Sequence, residues 1–555
     1  MNRSLAFVGA GPTAIYTLHA LLDQAPPPFA LTIFEKQASI GRGTPYRPGW
    51  NDPAMLSNIA SVEIPALEEP LVAWLARQDD ERLKKLHISR DEINDRTFFP
   101  RVVLGEYFHE QFQAILDRAG AMGIRVTVQT RCDVLDAVST SDGLTLSVRP
   151  PRGGVFTESF DHVVLATGHQ WPAEPEVCPG YFISPWPASR IAKIAPCHVG
   201  IRGSSLTAID AAVALALGHG DFMRGEDGVL RYVAGADTRD FRMTMLSRKG
   251  LLPEADFYFP IPYEPLSICT RDAIAKLIER DSGNLLEKTF SLFKRELVHA
   301  DPSYAKKVGL EELDMDGFCD AYFAERMASD PFEWAQANLE EARANYAVQH
   351  TVAWRYAILR MHEVIEDIVP HLSDEDFGRF SSCFKTIFVD DYATVPHESI
   401  ERMLALHRAG KLDVLAVGEE YHLDTHSSEG GVILHVGGQS IQFPAFIEAT
   451  GQRALAADDF PFSGLCEQGI IRDVADPDAP CPSRGIVIDD EFHPISLAIP
   501  EDQLFCLSLP FIMGRHPFIQ GITSSCEMGK IVAPRLAAAL ASDAAALSNN
   551  LGAAA

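Results

Sequence analysis

Gly9, Gly11 and Ala14 stand in the spacing G-x-G-x-x-A directly after the apolar run Ser4–Val8. In that spacing the first glycine permits a tight turn, and the second lets backbone approach a pyrophosphate. The small third residue lets a helix pack closely on a strand. Pro12 and Thr13 fill the turn, and apolar residues then recur at helical spacing from Ala14 to Leu22. The N-terminus of such a helix offers free N–H groups and a positive dipole end to phosphates. Glu35 closes the next strand-like run, Phe29–Phe34, and Lys36 follows it. A carboxylate at that point can accept hydrogen bonds from both ribose hydroxyls of an adenosine. The spacing predicts a dinucleotide site that suits FAD.

A second strand–glycine–helix pattern begins at Val199 and runs through Gly203, Ser204, Ser205, Leu206, Thr207 and Ala208. Serine replaces the second glycine here, and its Cβ makes close phosphate approach harder. The strand that follows, Met243–Leu246, ends not in a carboxylate but in Ser247, Arg248 and Lys249. Cations and a hydroxyl there would bind a 2′-phosphate, so this unit suits NADPH over NADH. A solvated basic turn is the plainer alternative. Two Ala-Thr-Gly segments, Ala166-Thr167-Gly168 and Ala449-Thr450-Gly451, each follow a strand. Small residues there let backbone pack against a cofactor; a simple strand-ending turn is the alternative. Asn58, in a Gly/Pro/Asn-rich loop, and His169, beside Gly168, are candidate hydrogen-bonding partners of a flavin. Arg355 and Arg360 share one helix and could clamp a carboxylate or pair with neighbours such as Glu363.

The elements that must position these residues point to an α/β chain with two Rossmann-like dinucleotide-binding domains. The expected division is a first domain from 1–195 and 412–535, an inserted NADPH domain at 196–268, a helical insert at 269–411 and an Ala-rich tail at 536–555. Residues 218–240 look like a polar surface excursion, and 124–164 alternate as strands do. The 555 residues are 46% hydrophobic and 22% charged, close to ordinary globular composition. A formal charge of −28 argues against a general nucleic-acid binder and against adhesion to an anionic membrane. No run approaches the roughly 20 apolar residues of a membrane-spanning helix, and a cytoplasmic location is the expectation. The ten cysteines include no C-x-x-C pair. That removes the dithiol-disulfide flavoenzyme and usual zinc-cluster readings, and the expectation is reduced, mostly buried thiols and no metal. No G-x-S-x-G, H-E-x-x-H or Walker loop is present, which argues against hydrolase, metalloprotease and P-loop ATPase functions.

Gly41-Arg42-Gly43-Thr44-Pro45-Tyr46, Leu56-Ser57-Asn58, Ala166-Thr167-Gly168-His169 and Ser247-Arg248-Lys249-Gly250-Leu251-Leu252-Pro253 together resemble the bacterial FAD/NAD(P)-binding flavoproteins that include aspartate N-monooxygenase (nitrosuccinate synthase). The resemblance implies FAD and NADPH as cofactors. It also implies an N-oxygenating monooxygenase acting through a flavin C4a-hydroperoxide, with O2 and a small polar amine such as an amino acid as substrates. It adds Gly43, Thr44, Asn58, Val134, Thr450, Gly451, Gly521, Ile522 and Thr523 to the cofactor-contacting set. A helix opening at Gly521 would face the flavin where charge builds on reduction. Asn58, Arg515 and His516 would line the reacting centre; a surface loop with a capping threonine is the alternative for the 514–524 stretch. Two other functions stay open: an NADPH-dependent flavin oxidoreductase without oxygenation, and a non-catalytic FAD-binding scaffold.

Overall fold

The computed structural model describes residues 3–170, 177–280, 283–426, 430–474, 484–519 and 521–552. The chain forms two units. The first comprises residues 1–47, 59–172 and 452–555, and the second 48–58 and 173–451.

The first unit is built on a parallel five-stranded sheet. Its strand order is Leu504–Cys506, His162–Leu165, Ser4–Val8, Ala30–Glu35, Arg125–Thr130. Leu5, Ala6, Phe7 and Val8 are all buried, because a parallel sheet is covered on both faces and its strands read as continuous apolar runs. Helix Pro12–Asp23 follows the first strand, and the long helix Ile522–Gly552 packs against it. Their contact is close: a Cβ on Gly529 would sit 2.8 Å from the Tyr16 carbonyl carbon. Helix Arg101–Ala121 contributes Tyr107, Phe108 and Phe112 to the same core. An antiparallel sheet of Asp133–Thr140, Gly143–Arg149 and Phe156–Phe160 completes the unit.

The second unit repeats the parallel design. Its strand order is Leu412–Ala416, Arg242–Ser247, His198–Arg202, Ala445–Glu448, Tyr181–Phe182. Helix Leu206–His219 follows the central strand. Helices from Arg271 to Tyr392 form the insert. The chain is thus α/β, with two Rossmann-like sheets and a helical middle insert.

Several expected boundaries move. The segment 412–535 does not belong wholly to the first domain. Leu412–Ala416 pairs with Arg242–Ser247, and Ala445–Glu448 pairs with His198–Arg202, so 412–451 completes the second sheet. Residues 177–195 join it too, through Tyr181–Phe182. Helix His397–Arg408 is not part of a free-standing insert, because Ile400, Met403 and Leu404 share the core of the second sheet. The 218–240 excursion is partly regular, a ribbon of Gly220–Arg224 and Leu230–Ala234. The Ala-rich tail to Gly552 continues the last helix instead of standing apart. The all-reduced expectation is also corrected. Cys319 and Cys383, 64 residues apart in sequence, are joined by a disulfide between two insert helices.

Candidate dinucleotide sites

Gly9 occupies φ +101°, and a Cβ there would lie 2.2 Å from the Ala166 carbonyl oxygen. The turn therefore admits only glycine. Gly11 caps the Pro12–Asp23 helix with an ordinary φ of −89° and no capping side chain. A Cβ on Gly11 would lie 3.3 Å from Gly43 Cα, and one on Gly43 2.9 Å from the Pro12 ring, so two glycine loops approach each other closely. The second loop is anchored where Gly41 N–H donates to the Ala10 carbonyl at 2.7 Å. This cradle fits a pyrophosphate: backbone donors, a helix N-terminus and no Cβ in the path.

Glu35 is held at the mouth of the same turn. The Ala10 N–H donates to its Oε2 at 3.1 Å and the Gln37 N–H to its Oε1 at 2.7 Å. Burial lifts its carboxyl above the ordinary range, against the pull of those two donors and of Arg47. Ala14 is buried, as close helix–strand packing requires. The buried Thr13 hydroxyl lies 3.2 Å from that of Ser525, which ties the first turn of this helix to the first turn of the Ile522–Gly552 helix. Gly521 and Thr523 flank that helix start, with Ile522 buried.

The first Ala-Thr-Gly is cross-tied. The Thr167 hydroxyl lies 2.8 Å from that of Ser508 and accepts from Gln170 Nε2 at 2.5 Å. The Gln170 N–H donates to Gln452 Oε1 at 3.0 Å. Gly168 has φ +70° and nothing within 4 Å of a would-be Cβ. His169 is half-buried beside these groups; desolvation lowers its pKa, against a hydrogen bond to Gln452. Ser508, Ser525, Gln170 and Gln452 carried no sequence signal of their own, since each is a common polar residue whose partner is remote.

The other candidates take the following positions. Lys36 pairs with Asp133 at 3.2 Å. Val134 lies in the antiparallel sheet, half-buried opposite Val148. Thr44 opens a short 3-10 turn. Arg515 pairs with the exposed Asp490, and His516 lies against Phe492 with ring centroids 5.3 Å apart. Asn58 closes the Pro48–Asn58 segment of the second unit and is exposed.

In the second unit, Gly203 takes φ +123°, and its Cβ would lie 2.5 Å from the Ala449 carbonyl oxygen. Ser205 caps the Leu206–His219 helix in extended conformation, and the Ile209 N–H donates to its carbonyl at 2.9 Å. The Ser204 hydroxyl donates to the Leu251 carbonyl at 2.6 Å, which pins the loop after Ser247. A Cβ on Gly451 would lie 3.7 Å from the Thr207 hydroxyl, and Thr450 is exposed. The Ser247 hydroxyl accepts from the Gly250 N–H at 3.1 Å. Arg248 is half exposed, 3.6 Å from the exposed Glu419. Lys249 instead sits with Nζ 3.3 Å from the Phe323 ring centroid, and burial, then Arg248, lower its pKa to about 8.

Arg355 and Arg360 do not form a carboxylate clamp. Arg355 is buried and paired with Glu254, while Arg360 donates to the carbonyls of Glu264 and Pro265 at 2.9 and 3.0 Å. Glu254 also accepts from Trp334 Nε1 at 3.0 Å. Burial opposes its ionisation, but Arg355 and Arg326 hold its carboxyl below the ordinary range. Arg326 bonds Asp390 at 2.5 Å and the Leu252 carbonyl at 2.9 Å. This cluster fastens the loop after Ser247 to the insert. No group of metal-ligating side chains occurs among the described residues, and no helix among them is long and apolar enough to cross a membrane.

Residues 6–170 match the family model described as FAD-NAD(P)-binding, and residues 270–392 match the YdhS-like middle domain. The chain is 41% identical over 534 residues to the uncharacterized protein YdhS of Escherichia coli (strain K12), covering 96% of this chain and 97% of that one. The chain belongs to the YdhS-like family of FAD-NAD(P)-binding proteins. Its fold is that of flavin monooxygenases. It superposes on an ornithine N-hydroxylase from Kutzneria sp. 744 with a TM-score of 0.50 at 13% identity, covering 97% of this chain and 99% of that one. With the cadaverine monooxygenase of Erwinia amylovora the TM-score is 0.51 at 11% identity, covering 96% and 94%.

Proposed function

We propose that this chain is an FAD- and NADPH-dependent monooxygenase that oxygenates the amine of a small polar substrate such as an amino acid. The observation that carries the reading is the contrast between its two parallel sheets. The glycine turn of the first is followed by a strand ending in Glu35; that of the second is followed by a strand ending in Ser247, Arg248 and Lys249. The first chemistry suits the ribose of FAD and the second a 2′-phosphorylated coenzyme. The fold shared with the ornithine and cadaverine hydroxylases supports oxygen insertion at nitrogen.

A bound flavin supplies hydride acceptance and oxygen activation, so no dedicated acid–base pair is needed. The residues of this chain bind and orient. Gly9, Gly11 and Gly43 leave room for the pyrophosphate, and Glu35 receives the adenosine ribose. The Thr13–Ser525 pair fixes the start of the Ile522–Gly552 helix, whose positive end would favour negative charge on a reduced ring. Thr167, Ser508 and Gln170 tie down the turn at Gly168. Arg248 receives the 2′-phosphate. Arg515 reaches a substrate carboxylate only by leaving Asp490, which makes its neighbour His516 the better candidate for contact with the substrate.

The test is a screen of amino acids and diamines for NADPH oxidation coupled to hydroxylamine or nitro product, read by mass shift with labelled O2. Label in the product supports the reading. If every substrate yields only hydrogen peroxide, the oxidoreductase without oxygenation replaces it.

A further inference from the structure

The two cations at the end of Arg242–Ser247 are held very differently. Among the described residues Arg248 pairs only with the exposed Glu419, across 3.6 Å. Lys249 turns toward the insert, where its ammonium lies over the ring of Phe323, a buried residue of helix Met315–Met327. Among the described residues no carboxylate lies within ion-pair distance of that ammonium. Asp390, close by, is already bonded by Arg326 at 2.5 Å and by the Tyr322 hydroxyl at 3.0 Å. A ring face attracts a cation but offers no lone pairs, so the three N–H donors find no acceptor in it. The depressed pKa of Lys249 reflects that desolvation, with Arg248 and Arg326 opposing its charge and Asp390 and Asp320 favouring it.

We infer that Phe323 holds Lys249 in reserve for an adenosine 2′-phosphate, so that the ammonium leaves the ring for the dianion when a 2′-phosphorylated coenzyme binds beside Ser247 and Arg248. The inference rests on the reading of the second unit as the NADPH site. A phosphate dianion supplies the charge and acceptors the ring lacks, and the flexible four-carbon stem lets the ammonium move without the backbone. Phe323 is a positioning residue that competes with the phosphate for Lys249, and through it the middle domain tempers the preference for NADPH over NADH.

The test uses the FAD-loaded full chain with its lysines reductively 13C-dimethylated, which keeps their charge. The Lys249 resonance is assigned by its absence in Lys249→Arg. It is expected at a ring-shifted position in the free protein and at the ordinary lysine position with saturating adenosine 2′,5′-bisphosphate; 5′-AMP leaves it shifted. A resonance unshifted in the free protein, or one that stays shifted with the bisphosphate bound, overturns the inference and leaves the coenzyme reading intact. If the bisphosphate binds no tighter than 5′-AMP in unmodified protein, the coenzyme reading falls and takes the inference with it. Phe323→Leu supplies a second measurement. It should tighten bisphosphate binding about two- to fivefold, with 5′-AMP unchanged; equal changes for both ligands count against the inference.

Discussion

Gly9→Ala and Gly11→Ala should separate the two jobs of the first glycine turn. At Gly9 the new methyl would lie 2.2 Å from the Ala166 oxygen and 2.8 Å from its carbon, at a φ of +101°. The left-handed backbone alone costs an L-residue about 1–2 kcal/mol. Relieving the overlap must also move Ala166, whose N–H bonds the Val8 carbonyl at 2.9 Å between the two central strands. Gly9→Ala should therefore lose soluble folded protein. At Gly11 the backbone is ordinary, and the methyl meets Gly43 Cα at 3.3 Å. A shift of a few tenths of an ångström accommodates it, so the apoprotein should fold with little loss of stability. The methyl does stand at the helix N-terminus, where the pyrophosphate must approach. Losing one charge-assisted backbone–phosphate hydrogen bond costs about 1.5–3 kcal/mol, or roughly ten- to a hundredfold in Kd. Titration of apoprotein with FAD, alongside thermal unfolding of both variants, reads the two effects separately. A Gly11→Ala protein that binds FAD within twofold of the parent would refute the placement of the pyrophosphate. A well-folded Gly9→Ala protein would refute the account of the turn.

Four further outcomes follow from the geometry. Because burial raises the Glu35 carboxyl, FAD affinity should decline on acidification at a pH above the ordinary carboxylate range; Glu35→Gln should bind more weakly and lose that dependence, and an unchanged pH profile would remove Glu35 from the ribose site. Arg248→Ala should weaken NADPH roughly ten- to a hundredfold in half-reduction titrations and leave NADH nearly unchanged; equal losses would make Arg248 structural. Asp391 is buried, both its carboxylate oxygens lack a hydrogen-bond partner among the described residues, and burial lifts its pKa well above the ordinary range despite Arg355. Its stabilising contribution is thus complete below its unfolded value of about 3.9 and lost as pH rises through the folded value, so Asp391→Asn should raise neutral-pH stability by about 1–3 kcal/mol in denaturant titrations, and a destabilised variant would contradict this. Alkylation of unfolded, non-reduced protein should leave the Cys319 and Cys383 peptides unmodified, and Cys319→Ser should cost up to about 4 kcal/mol on a chain-entropy account; labelling of both without reductant would dismiss the bridge.

The sequence by itself determined the parts of this protein whose physics is local. Gly9, Gly11, Ala14 and Glu35 lie within one short strand–turn–helix–strand run, so their spacing is enough to fix the turn, the helix start and the carboxylate at the strand end. The same holds for the turn Gly203–Ser205 and the strand that ends at Ser247. Tertiary structure decided everything that depends on partners far apart in the chain. Pattern alone could not say that Leu412–Ala416 adds to Arg242–Ser247, because an apolar strand fits the edge of either sheet and only the pairing assigns it. Nor could it find Ser525 against Thr13, Ser508 against Thr167, or Cys383 against Cys319. Arg355 reads as a clamp for a carboxylate or a partner of a neighbour such as Glu363 until the fold buries Glu254 beside it. Lys249 reads as a phosphate ligand, but that its ammonium rests over Phe323 of helix Met315–Met327 only the fold could show. A charge has one value in the sequence, but what it can bind is set by the groups that desolvate it, and those come from the fold.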